Sequence, residues 1–142
     1  MSEPTANDMM EAYALDAVDF GKKFNEDLDF SRESIEKVER ICTILFNAIP
    51  KNFFTKLIRR NPSEEQKLQI SKALGGYVGE VMRKNFGGNW SIEKLFDQEN
   101  TLALTIGKMK LSPVARVYRR LTNGPEDNVW HYFQVLESEL KS

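Results

Sequence analysis

Cysteine and histidine are almost missing from this chain: Cys42 and His131 are the single examples in 142 residues. One cysteine excludes an internal disulfide and any cysteine-rich metal site. One histidine, in "VWHYF", leaves no H-E-x-x-H pair for zinc. A nucleophile–histidine–acid array would have to recruit Cys42, which lies on an apolar helical stripe where buried thiols are ordinarily inert. Long apolar runs are missing too. Ile41 to Phe46 is already interrupted by Thr43, far short of the roughly 20 residues that a spanning helix needs. The opening segment, "MSEPTANDMMEAY", carries acids where a signal peptide would carry lysine or arginine, and no apolar region follows. These absences predict a cytoplasmic protein that uses no membrane, no metal and no cofactor. No repeat, low-complexity tract or Gly/Ser/Pro-rich linker divides the sequence. Residues 1–7 therefore read as a disordered tail and residues 8–142 as one globular domain.

What is present is ordinary globular material, 41% hydrophobic and 29% charged, enough for one core. The net charge of −1 conceals a segregation. Residues 1–40 hold 5 basic against 11 acidic side chains, residues 41–120 hold 14 against 6, and residues 121–142 hold 1 against 4. Either the basic middle offers a face to an anionic partner, or the acidic ends fold back over it. A pI near 5.9 counts against nucleic acid as that partner.

Periodicity predicts an α+β fold dominated by helix. Met9, Met10, Tyr13, Ala14, Ala17 and Val18 repeat with helical spacing from Asp8 onward. Ser31 is an N-cap candidate, with Phe30 stapled onto Ile35, for a second helix with a stripe from Ile35 to Ile49 that Pro50 ends. "NFFTKLIRR" adds a helical turn or two, with Phe53, Phe54, Leu57 and Ile58 inward. Asn61, Pro62 and Glu64 open a third helix, which carries Leu68, Leu74, Tyr77, Val78, Val81 and Met82 and ends at "FGG". The period then becomes two: "TLALTIG" reads as a strand, "WSIEKLF" as its partner and "KMKL" as a short third strand of an antiparallel sheet. Ser112 and Pro113 restart helix, "TNG" closes it, and a last helix starts around Pro125.

Three glycines interrupt the third helix. Gly75, Gly76 and Gly79 each cost about 0.5–1 kcal/mol relative to alanine in a helix interior. They match no phosphate-binding pattern, because they lie inside the helix where the N–H groups are already bonded. We expect them to admit a close neighbouring backbone or a large ring, with Phe53, Phe54 and Trp90 as candidates.

Two constellations carry candidate function. Arg116, Arg119 and Arg120 line one side of a helix around Tyr118, followed by Glu126 and Asp127. Forked guanidinium donors suit carboxylate or phosphate. Glu126 and Asp127 themselves read as first-turn acids of the last helix, and "NGPEDN" lacks the spacing of a calcium loop. Glu80 stands beside the glycines, with Arg83 and Lys84 three and four residues on, the spacing of a surface ion pair.

The segments "ALGGYVGEVMRKNFGGNW" and "VYRRLTNGPEDNVWHYFQVLE" together resemble a family of small bacterial proteins catalogued as a domain of unknown function. The likeness runs from about Tyr13 to Leu140. It implies a stand-alone bacterial cytoplasmic chain and brings no assigned reaction, so no catalytic residue follows from it. Small bacterial folds of this type serve as immunity or inhibitor proteins, an analogy of type. The first expectation is thus a non-enzymatic protein-interaction module, an immunity or inhibitor protein that binds and neutralises a toxin or effector enzyme. Its contact candidates are Arg116, Tyr118, Arg119, Arg120, Glu126 and Asp127. The alternative is a small-ligand-binding protein or enzyme with a carboxylate pocket made by Glu80, Arg83 and Trp90. Nucleic-acid binding through the basic middle ranks third.

Overall fold

The computed structural model describes residues 3–47, 62–95 and 98–141. Among them are five α-helices and a three-stranded antiparallel sheet. The helices are α1 (Ala6–Lys22), α2 (Ser34–Asn47), α3 (Pro62–Phe86), α4 (Pro113–Asn123) and α5 (Val129–Lys141). The strands, between α3 and α4, are β1 (Asn89–Leu95), β2 (Gln98–Ile106) and β3 (Met109–Leu111), in spatial order β1-β2-β3. This is the α+β arrangement that the change of period predicts. Trp90 pairs with Leu104, and Leu104 with Leu111, which sets the register on the buried face. No helix among the described residues is long and apolar enough to cross a membrane.

The middle of α3 is the hub. Every residue from Leu74 to Met82 is buried, so this helix is surrounded rather than laid on one side of a core. The three glycines are what allow that. A Cβ on Gly75 would stand 2.4 Å from the Val114 Cα of α4. One on Gly76 would stand 3.1 Å from the Met10 Cε and 3.2 Å from the Tyr13 Cβ of α1, and one on Gly79 would stand 2.1 Å from the Trp90 ring of β1. Three adjacent elements approach in three directions, two of them closer than a methyl group permits. The glycines serve packing, and Trp90 is the ring received at Gly79. Phe53 and Phe54 lie outside the described residues, as do Ile49, Pro50, the rest of "NFFTKLIRR" and Asn61.

Local signals hold with shifts of a few residues. α1 begins at Ala6, two residues earlier than the apolar pattern suggests, because Thr5 and Asp8 close a capping box. Part of the segment read as a tail is therefore helical, and the Asn7 side chain accepts a hydrogen bond from the Trp90 N–H at 2.8 Å. Ser31 caps a tight turn just ahead of α2: its Oγ accepts from the Ser34 N–H. Phe30, with φ 64°, packs its ring at a tilt of 37° against Tyr77, with centroids 4.8 Å apart. Its N–H donates to the Tyr77 hydroxyl at 2.7 Å, which also shares a hydrogen bond with Ser34 Oγ. Leu68, expected inward, is 42% exposed. The last helix starts at Val129, where Asn128 caps it through the His131 N–H; Pro125–Asp127 forms a separate single turn of 3₁₀ helix. The turn between α4 and α5 needs glycine, since Gly124 has φ 100° and lies against the Phe46 ring.

Candidate functional site

The arginine row of α4 does not stay together at the surface. Helical geometry separates its members by about 40–100° of rotation, with the adjacent Arg119 and Arg120 furthest apart, enough to divide interior from solvent. Arg120 is 1% exposed. Its Nε donates to Glu39 Oε2 at 2.9 Å and its Nη2 to Thr43 Oγ1 at 2.8 Å. Glu39 also accepts the Val129 N–H at 2.9 Å, at the opening of α5. One carboxylate thus ties α2, α4 and the start of α5 together. This arginine is an internal staple and not a surface contact.

Arg116 is half-buried. Its Nη1 donates to Asp127 Oδ1 at 3.0 Å, and its guanidinium lies 4.6 Å from the centre of the Tyr132 ring. Asp127 also accepts from the Asn123 side chain, so it orders the α4–α5 turn; with Glu126 it stands in the 3₁₀ turn ahead of α5 and not, as the sequence suggests, in the first turn of that helix. Tyr118 points another way, toward α3: its hydroxyl donates to Glu64 Oε2, and Lys67 stands over its ring. Glu126 is exposed.

Arg119 is exposed and has no ion-pair or hydrogen-bond partner among the described residues. It stands close enough to Tyr132 to act on its phenol electrostatically, as does Arg116. Burial outweighs both cations and pushes the phenol up to about 12, so it remains a neutral hydroxyl donor at physiological pH. That hydroxyl has no hydrogen-bond partner among the described residues. His131 is exposed, and Val135, one turn beyond His131 and Tyr132, is 43% exposed. On α5, His131 and Val135 are thus exposed beside the half-buried Tyr132, which Arg116, held by Asp127, supports; Arg119 is the exposed arginine of α4. Sequence reasoning missed Tyr132 and Val135. The signal available was the spacing of 128, 131, 132 and 135, the complement of the apolar stripe of the last helix.

Glu80, Arg83 and Trp90 are brought together, but as a closed set. Glu80 is 4% exposed and so is no surface ion-pair residue. It accepts from Arg83 Nη1 at 2.9 Å and from the Trp90 indole N–H at 2.9 Å. Arg83 further donates to the Gly88 carbonyl and stands 3.5 Å from Glu11. The indole itself fills the space beside Gly79. Each polar group here satisfies another, which braces β1 against α3.

The outer side of α1 exposes Asp8, Glu11, Leu15, Asp16 and Asp19, of which Asp8 caps the helix, Glu11 faces Arg83 and Asp19 faces Lys22. An open groove of about 720 Å³ is lined by Phe20, Phe24, Leu45, Leu68 and Ile70, with Glu65, Gln66 and Gln69 at its polar side. Cys42 is buried, and burial pushes its thiol up to about 12, which makes it a poor nucleophile. Among the described residues no three metal-ligating side chains converge. Comparison of the chain with protein-family models, with curated proteins and with solved structures finds no match.

Proposed function

We propose that this protein is a non-enzymatic interaction module, an inhibitor or immunity protein of a bacterial cytoplasm that engages a partner enzyme through its α4–α5 face. The observation that carries the reading is the state of Arg119. In a row where Arg120 is held by Glu39 and Arg116 by Asp127, Arg119 is exposed and has no hydrogen-bond or ion-pair partner among the described residues. Arginine and tyrosine dominate the energetics of protein interfaces when they are held in place by their surroundings. Here Arg116 stacks on Tyr132 and fixes it, so little side-chain freedom is lost on contact. The resemblance to small stand-alone bacterial chains is of one piece with this reading.

The test is a photo-cross-linking residue placed at Val135 in the native host, with a control placement at Leu15 on α1. The captured protein is then purified and titrated against the wild-type chain and Arg119→Glu. The expected result is one adduct specific to position 135 and an affinity reduced at least tenfold by the substitution, about 1.4 kcal/mol. An adduct pattern shared by both positions, or an affinity unmoved by Arg119→Glu, contradicts the proposal.

A further inference from the structure

We infer that the outer edge of β1 takes an extended, basic segment of another protein as a fourth strand of the sheet. The Trp90 C=O and the Ile92 N–H and C=O point off that edge beside the exposed Ile92 side chain, within an acidic rim from α1. The inference concerns a different face from α4–α5 and does not rest on the reading of that face.

Two hydrogen bonds fix the direction of the backbone. β1 is an end strand, paired only with β2. The Trp90 N–H reaches Asn7 Oδ1 of α1 at 2.8 Å, so it does not serve the ladder with Leu104, the residue opposite it. Leu102, opposite Ile92, turns its C=O to Ser112 Oγ at 3.2 Å, on the β3 side of β2. Hydrogen-bonded and open pairs alternate along an antiparallel ladder, so Trp90–Leu104 and Ile92–Leu102 are both open pairs. The backbone groups of Trp90 and Ile92 therefore face away from β2. Asn7 satisfies the Trp90 N–H; the Trp90 C=O and both groups of Ile92 have no partner among the described residues.

Free edges are ordinarily blunted by a bulge, a charge or a covering element. Here Asn7 covers the start of the edge and a bulge follows Glu93, which leaves Ile92 open between them. Its side chain is 54% exposed, in the same row as the buried Trp90. One donor between two acceptors at strand spacing is the complement of an extended backbone, and an exposed isoleucine is covered best by an apolar residue opposite. The rim at the Trp90 end sets the charge. Asn7 holds the first turn of α1 against β1, and with it come the exposed acids Glu3, Asp8 and Glu11. Glu11 shares the Arg83 guanidinium with the buried Glu80, while Glu3 and Asp8 have no cation among the described residues. This surplus attracts a basic segment and repels nucleic acid. It also disfavours a second copy of this chain, which would set the same acids against each other.

Amide hydrogen exchange on the full chain, read residue by residue, tests the inference. In the free protein the Ile92 N–H should exchange at least tenfold faster than those of Ser91 and Glu93, which the ladder holds. The probe is a short peptide of alternating lysine and valine, compared with a glutamate–valine version and with a fully N-methylated lysine–valine version. The lysine–valine peptide should slow Ile92 exchange at least tenfold at saturation, and neither comparison peptide should. Ile92→Pro removes the N–H at an edge position that tolerates proline, so binding should weaken at least tenfold with little change in the unfolding midpoint. Ile92→Lys keeps the N–H, replaces the apolar contact with a like charge, and should weaken binding as well. Arg119→Glu should leave peptide binding unchanged, which separates failure of this inference from failure of the α4–α5 reading. An Ile92 N–H already protected in the free chain, no binding of the lysine–valine peptide, or equal binding of either comparison peptide overturns the inference. Protection that rises with protein concentration alone also overturns it, by making a second copy the occupant.

Discussion

Glu39 on α2 and Arg120 on α4, 81 residues apart in sequence, meet in the interior with Nη2 and Oε2 2.8 Å apart. The pair shows how the segregated charge of this chain is used. An acidic residue of the first 40 reaches a basic residue of the middle, as Glu11 does with Arg83, and Asp127 reaches back from the C-terminal segment to Arg116. The fold-back reading of the charge blocks accounts for these pairs.

Breaking the buried pair from one side leaves a stranded charge. Glu39→Ala strips Arg120 of its carboxylate and Val129 of the acceptor for its N–H, so unfolding stability should drop by about 3–5 kcal/mol. The double change Glu39→Leu with Arg120→Met should recover much of that loss, because no charge is then left unpaired. Urea unfolding of the three chains checks this; equal losses in single and double variants would contradict it.

The glycines of α3 should rank by what lies against them. Gly75→Ala drives a methyl into the Val114 backbone and Gly79→Ala into the Trp90 ring, neither of which can yield cheaply. Each should cost about 1–3 kcal/mol of overpacking after the alanine propensity gain is offset. Gly76→Ala meets the flexible end of Met10 and the Tyr13 Cβ at 3.1–3.2 Å and should stay within about 1 kcal/mol of wild type. Thermal unfolding gives the order directly, and Gly76→Ala as the most damaging change would refute it.

Acid should weaken the fold through named carboxylates. Hydrogen bonds from Arg32 hold Glu137 below its ordinary 4.5, and those from Arg40 do the same for Glu26. Because the folded values are lowered, the stabilisation is complete above about pH 4.5 and disappears as pH falls through the folded values. Glu137→Gln should therefore lower the unfolding midpoint at pH 7, and the gap to wild type should narrow as pH falls below 4.5 and through the folded value. A gap that does not narrow on acidification would show that the ion pair is not its source.

Cys42 should be silent in the native state. Burial raises its thiol to about 12, so a thiol reagent at pH 8 should react only as fast as the protein opens. Stoichiometric labelling within seconds under native conditions would contradict the burial.

Much of this architecture was legible in the sequence, for local reasons. The switch from helical to alternating period marks the sheet, Ser112-Pro113 marks the start of α4, and Gly75, Gly76 and Gly79 announce close packing because a helix tolerates such residues only at a cost. What failed to show was the direction each polar side chain takes. Arg116, Arg119 and Arg120 look like one row because their spacing is helical, yet the core cuts between them, and only tertiary contact with Glu39 decides which one goes inside. Glu80 looked like half of a surface pair with Arg83; the pair exists, but Trp90 approaching over Gly79 covers it. The pairing of Arg116 with Tyr132 spans two helices and leaves no periodic trace.

The measurement that bears most directly on the functional account is the affinity of the cross-linked partner, once purified, for wild-type protein, Arg119→Glu and Tyr132→Phe, with circular dichroism confirming the fold of each. The account predicts at least a tenfold loss for the charge reversal, a smaller loss for the phenylalanine variant, and unchanged unfolding midpoints for both. Full affinity in the charge-reversed chain would contradict it and move the contact to another face of the molecule.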